Sequence, residues 1–225
     1  NNTYKLFFSK HFEVDQLIAD LKHSSGKLED RILRSAQVKG TTIQHPQAKL
    51  RALAHESSIH SRHGRNWQLT GDLDGAIYHY TVALKLSPKS KNAASQLAFC
   101  HFAYAAKLNS NGNQGTAVVH YREGLKSQPT NRTAINNLAW ILATSPKKNI
   151  RNPQEALRIA DQLNKDTGNK IPMVLDTLAA AYASAGQFTK AAITAESAVR
   201  AASAAGDAKL AAKIGMRRDL YWRSE

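Results

Sequence analysis

One cysteine is present among 225 residues. Cys100 therefore closes no intramolecular disulfide and builds no cysteine-rich metal site. It lies in the apolar run Leu97-Ala98-Phe99-Cys100, where a small buried residue is expected rather than a reactive thiol. No stretch of about 18 apolar residues occurs, so nothing here is long enough to span a membrane as a helix. Glycine (12) and proline (6) are sparse. Runs of β-branched residues are rare and alanine is abundant, a balance that favours helix over strand. Asp and Glu total only 17 and are scattered, so no carboxylate pair presents itself for acid–base chemistry or for calcium. The patterns GxGxxG, GxxxxGK[ST], GxSxG, HExxH and CxxC are all absent. No enzyme, no catalytic residue and no cofactor is expected. The first residue is Asn1 rather than Met, which suits a processed product or part of a longer polypeptide.

Basic residues, by contrast, are in excess. Lys and Arg total 31, for a formal net charge of +14. Attraction to an anionic partner follows: an acidic protein, an acidic polymer, nucleic acid or anionic lipid. The excess is uneven. Residues 57–170 hold 15 basic against 6 acidic residues, while 1–56 hold 9 against 6 and 171–225 hold 7 against 5.

The segment that carries this charge also carries a repeat. Ala76, Tyr80, Ala83 and Pro88 recur as Ala117, Tyr121, Gly124 and Pro129, displaced by 41 residues. The offsets of four, three and five place the first three on one helical face and stop the helix at proline. Upstream of each set a second helix ends near Gly71 or Gly112. Each unit is thus helix, tight turn, helix. The small residues Gly64 and Ala76, and Ala105 and Ala117, let the paired helices approach, and Tyr80 and Tyr121 fill the space between them. A later copy reads Leu178, Ala179, Tyr182, Gly186, Ala191, Ala195 and Ala198, with alanine in place of the aromatic.

This order of small, aromatic and proline positions resembles the tetratricopeptide repeat. The resemblance covers about 57–222. Asn136–Pro146 and Leu175–Tyr182 look like the C-terminal repeats of many bacterial members, which leaves the compartment open between cytoplasm and export. The implied fold is all-α, a right-handed α-solenoid of about four helix-turn-helix units at 57–90, 98–131, 132–171 and 172–205. A C-terminal capping helix over 206–225 covers the last apolar face. The gap between the first two units lengthens the helix over 92–108. The third unit is interrupted by Ser145–Pro153, an ordered loop with proline near both ends. Residues 1–56 form a helical N-terminal extension: short amphipathic helices over 13–23 and 27–39, a connector over 40–46, and a long helix over 47–69 that enters the first unit.

Nine histidines invite a test for metal. His60 and His63 share a face at i and i+3, but they stand where the family places large residues against the partner helix, so packing rather than metal is expected. Asn131-Arg132-Thr133 and Asn1-Asn2-Thr3 match the glycosylation acceptor pattern, and no modification is expected.

In the family, the first helix of each unit lines a concave groove. The positions matching that lining include Ser61, Arg65 and Gln68, then Phe99 and Phe102, then Asn136 and Trp140, and Asp176. Apolar anchors beside amides and a few charges suit an extended peptide or a helix. Arg65, Phe99, Phe102, Asn136, Trp140 and Asp176 are the candidate partner contacts. For Phe99 and Trp140 the alternative is cover by the chain's own helices. The Lys and Asn quartet of chaperone-binding members is not matched by Ser61, Arg65, Ala103, Thr133 and Asn137.

The implied function is protein–protein interaction or assembly scaffolding without catalysis. Two other readings stand beside it. Tyr4, Leu6, Phe7 and Phe8, with Leu220, Tyr221 and Trp222, are candidate sticky termini for head-to-tail association into a filament or oligomer. Lys89, Lys126, Lys147, Lys148 and Arg151 make a basic edge suited to an anionic polymer. The alternative for that edge is a solvated surface of helix-end cations. Specific nucleic-acid reading is not expected, because no run of stacking aromatics accompanies the charge.

Overall fold

A computed structural model describes residues 46–224. The readings for 1–45, including the apolar Tyr4, Leu6, Phe7 and Phe8 and the short helices over 13–23 and 27–39, lie outside the described residues. Those described are all-α, with nine helices: α1 (Pro46–Leu69), α2 (Leu73–Leu86), α3 (Lys91–Ser110), α4 (Gln114–Ser127), α5 (Arg132–Thr144), α6 (Pro153–Asp166), α7 (Pro172–Ser184), α8 (Phe188–Ala204) and α9 (Ala208–Trp222). Among them no helix is long and apolar enough to cross a membrane. Contacts divide the chain into two compact units, one ending at Tyr104 and one starting at Ala105.

Local chemistry sets the ends of these helices. In the α1–α2 turn Gly71 has φ +80°, a conformation that a side chain resists. Its N–H donates to Gln68 O at 3.1 Å, and Asp72 N–H donates to Trp67 O at 3.0 Å, so the last carbonyls of α1 are satisfied as in a Schellman turn. The Asp72 side chain then accepts from Gly75 N–H at 2.9 Å and caps α2. Forty-one residues later the α3–α4 turn repeats the backbone bonds: Gly112 N–H to Asn109 O, and Asn113 N–H to Leu108 O. Asn131 caps α5 by accepting from Ala134 N–H, so this side chain of the acceptor triplet works as a helix cap. Asn152 caps α6, whose first residue is Pro153, and Pro172 opens α7.

In the first unit α1 packs on α2 around Ala76, Ile77, Tyr80, Ala83, Ala93 and Cys100. Tyr80 is 1% exposed. Its ring lies where a Cβ on Gly64 would stand, at 3.1 Å, so the absent side chain of Gly64 is what lets the ring seat. Gly75 plays the same part for Trp67: a Cβ there would meet the indole at 2.9 Å. Gly75→Ala is expected to cost about 1–2 kcal/mol, since overpacking outweighs the gain of about 1 kcal/mol in helix propensity. A lowered urea midpoint with an unchanged slope is the readout. Cys100 is fully buried, and burial pushes its thiol up to about 12, so it is not a reactive cysteine.

The second unit relies on alanine. Ala179, Ala195, Ala198 and Ala202 are all fully buried with Leu175, Ala211 and Ile214. Small side chains let α7, α8 and α9 pack closely, and α9 buries Ile214 against α8. Tyr121 is 2% exposed, and its hydroxyl accepts from Asn137 Nδ2 at 3.1 Å. Ser145–Asn152 is an ordered loop. Ser145 is fully buried and donates to Gln114 Oε1 at 2.7 Å, and Asn152 N–H donates to Leu142 O at 2.8 Å.

Candidate protein-binding site

In the first unit, helical spacing builds a cleft from two helices. Ser61, Arg65 and Gln68 stand at i, i+4 and i+7 on α1, and Asn92 and Gln96 stand at i and i+4 on α3. Together with Arg62 and Tyr80 they line a cleft of about 460 Å³. No Asp or Glu lines it, and neither arginine has an acidic partner among the described residues. Tyr80 forms its floor and donates to Gln68 Oε1 at 3.1 Å, which orients the amide. Three residues beyond Gln96, on the same side of α3, Phe99 is 54% exposed. Phe102 is half-buried. The cleft is therefore polar and cationic, with an apolar side chain at its margin.

A different cluster stands on the second unit. Asp176 of α7 is 6% exposed and accepts from Arg217 Nε at 3.0 Å and Nη2 at 2.5 Å. The Arg217 guanidinium also lies 5.4 Å from the centre of the Trp140 ring, within cation–π range. Burial raises the Asp176 carboxyl, and the hydrogen bonds and charge of Arg217 oppose the rise. Tyr221, half-buried beside them, is pushed up to about 12, by burial first and then by the Asp176 charge. One turn before Trp140, Asn136 is buried, and its Oδ1 has no hydrogen-bond partner among the described residues.

Arg217 turns inward from the last helix rather than outward to solvent. Ile214, Arg217 and Tyr221 follow at i, i+3 and i+7, so the face that buries Ile214 also turns Arg217 inward. Asp176, read from sequence as a partner contact, already shares its carboxylate with Arg217. Arg62, Asn92 and Gln96 were missed. The Asn92, Gln96, Phe99 spacing was available to find two of them.

Of the remaining candidates, Leu220 and Trp222 are exposed at 58% and 46%, whereas Tyr221 packs against the α8–α9 core. Lys89, Lys126, Lys147, Lys148 and Arg151 are all exposed, and Lys126 pairs with Glu123 at 2.6 Å.

The histidines pack against one another. His60 Nδ1 and His79 Nδ1 are 3.0 Å apart, and the His63 ring stacks on His79 with centroids at 5.3 Å. Among the described residues no group of three or more His, Cys, Asp or Glu side chains is arranged to hold a metal ion. Burial lowers His79 from 6.5 to about 4, helped by the charges of His60 and His63. Burial lowers His60 as well, against the pull of Glu56. An Nδ1–Nδ1 bond needs one nitrogen to donate and the other to accept, so it fails when both rings are charged. The folded state therefore binds fewer protons than the unfolded chain below about pH 6.5. Stability from these rings is whole above that pH and is lost progressively as pH falls from 6.5 toward 4. The melting temperature is expected to fall over this window by roughly 2–4 °C per kcal/mol lost, and His79→Phe, which cannot titrate, should flatten the fall. An equal fall in both proteins would refute the assignment.

The described residues thus form consecutive helices, joined within each pair by a Gly turn except at the Ser145–Asn152 loop, with Tyr or Ala as filler where they pack. These are tetratricopeptide-like pairs. The chain is similar to MamA 41-end from Desulfovibrio magneticus RS-1, at 15% identity and TM-score 0.46, over 76% of this chain and 97% of that one. A second MamA crystal structure is 19% identical with TM-score 0.45, over 75% and 89% of the two chains. The P58(IPK) TPR domain is 13% identical with TM-score 0.43, over 98% and 72%. No family model and no curated protein matches the chain.

Proposed function

We propose that this chain is a non-catalytic protein-binding scaffold that takes an acidic segment with a neighbouring apolar residue in the cleft of its first unit. The observation that carries this reading is the first unit's cleft: Arg62 and Arg65 without a lining carboxylate, beside the exposed Phe99. Two guanidiniums in a partly enclosed site favour a carboxylate, and their planar forks grip it better than ammonium groups. Gln68, Asn92 and Gln96 supply amides that hydrogen-bond a peptide backbone. Phe99 and Phe102 offer an apolar contact on the same helix. In the second unit Trp140, held beneath the Arg217 guanidinium, suits the same kind of ligand. A net charge of +14 speeds encounter with an acidic partner.

The test is fluorescence anisotropy with labelled peptides in which Asp or Glu precedes Leu, Phe or Trp by a few residues. Arg62→Glu with Arg65→Glu is expected to weaken binding by about a hundredfold, the loss of two charge-assisted contacts at about 1.5 kcal/mol each. Phe99→Ala is expected to weaken it about tenfold. Binding that all three substitutions leave unchanged would remove the reading.

A second reading rests on the exposed Leu220 and Trp222 of α9, which suit self-association. Sedimentation of the full chain against Leu220→Glu/Trp222→Glu decides it. A wild-type chain that stays monomeric at high concentration excludes self-association.

A further inference from the structure

We infer a second acidic-peptide site on the second unit, built by the loop between α5 and α6 and using none of the residues of the Arg65 cleft. The loop and α4 enclose a cleft of about 450 Å³. Val118, Val119, Leu142 and Ile150 form its apolar floor, and Arg122 and Arg151 stand at its edge. Gly115, Val118, Val119 and Arg122 share one face of α4 at i, i+3, i+4 and i+7. The missing side chain at Gly115 opens the end of the cleft, since a Cβ there would meet only the Ile150 side chain, at 3.5 Å.

The cleft is pre-formed. Ser145 is buried and anchored to Gln114, and Asn152 is tied to Leu142 and caps α6. A ligand therefore does not have to order the loop, a cost that otherwise weakens binding.

Charge selects the occupant. Arg122 contacts Glu155 through Nη2 alone, at 3.0 and 2.8 Å to the two carboxylate oxygens. Its Nε and Nη1 have no partner among the described residues. Arg151, Lys147 and Lys148 are exposed around the same loop, and none has an ion pair among the described residues. The lining thus carries two cations, Arg122 and Arg151, against one carboxylate, Glu155, which Arg122 already engages. An apolar floor edged by Arg122 and Arg151, with lysines exposed on the same loop, fits an apolar side chain flanked by Asp or Glu. A second copy of the chain, at +14, is a poor electrostatic complement. Nucleic acid is disfavoured because the floor is aliphatic and offers no ring for a base to stack on.

The probe is a short fluorescein-labelled acidic peptide with a central Leu-Phe pair, read by anisotropy on the full chain. Its controls are the same peptide with Gly-Gly at the centre and a short oligothymidylate. Gly115→Leu fills the cleft without touching a charge and is expected to weaken binding about tenfold or more. Ile150→Ser, which strips the floor from the loop side, is expected to weaken it similarly and stands in should Gly115→Leu not fold. Lys147→Glu/Lys148→Glu/Arg151→Glu should weaken binding further and abolish its strengthening at low salt. All of these variants are made in the Arg62→Glu/Arg65→Glu background, which removes the first unit's cleft, so the binding read is this site's own and the failure of either site is separable. Equal binding of the Gly-Gly peptide, full competition by oligothymidylate, affinity of both cleft variants equal to that of the Arg62/Arg65 background, or no residual binding in that background would each overturn the site.

Discussion

Arg217→Ala is expected to destabilise the protein by about 3 kcal/mol, near the low end of what breaking a buried ion pair costs. The reason is the charge left behind. The Asp176 side chain is 9% exposed and that of Arg217 30%, so removing Arg217 strands a carboxylate away from water, and it also frees Trp140 from its cation contact. Burial already raises the Asp176 carboxyl against the opposing pull of Arg217, and without Arg217 the rise is larger. A carboxyl raised in the folded state takes up a proton more readily than it does in the unfolded chain, so this contribution favours folding at low pH and is lost as pH rises through the folded value. The deficit of Arg217→Ala relative to wild type should therefore be full at neutral pH and shrink as pH falls into the carboxylate range. Arg217→Lys cannot form the two-nitrogen fork and should recover only part of the loss. Asp176→Leu with Arg217→Met, which removes both charges, should be closer to wild type than Arg217→Ala. Chemical denaturation across a pH series measures all four proteins. A deficit that does not change with pH would mean that lost packing, not the stranded charge, is the cause.

Tyr80→Ala is expected to cost about 3–5 kcal/mol, as large-to-small changes of buried aromatics do. Tyr80 is 1% exposed, and its ring fills the space left by Gly64, so the α1–α2 pair closes around it and cannot collapse fully once it is gone. The same ring floors the Arg65 cleft. Tyr80→Phe keeps the volume and removes only the bond to Gln68 Oε1, at about 1 kcal/mol. If Tyr80 orients the cleft as well as filling the core, Tyr80→Phe should reduce peptide binding while the fold persists. Equal stability of Tyr80→Ala and Tyr80→Phe would show that the ring is not the keystone of the pair.

How much of this was legible beforehand follows from the range of each interaction. The spacing of Ala76, Tyr80 and Ala83, its return at Ala117, Tyr121 and Gly124, and the glycines at the turns are short-range signals. They announce helix pairs because helical hydrogen bonds and faces are themselves local. The burial of Cys100 and the packing role of the histidines were readable in the same way. Phe99 was open to two readings, and burial by neighbouring helices turned out not to apply to it.

The sequence by itself determined the helices, their turns and caps, the close approaches made by Gly and Ala, and the strong positive charge. Only the tertiary structure decided which charges are spent and which are open. Arg217 and Asp176 are 41 residues apart and meet because α9 buries Ile214 on the same face. Among the described residues Arg62 and Arg65 meet no acid in their cleft because α3 brings amides, not carboxylates, opposite them. The loop after α5 encloses an apolar floor because Ser145 and Asn152 are tied to α4 and α5. Each outcome depends on which surfaces pack together, and no periodicity within a single helix encodes that.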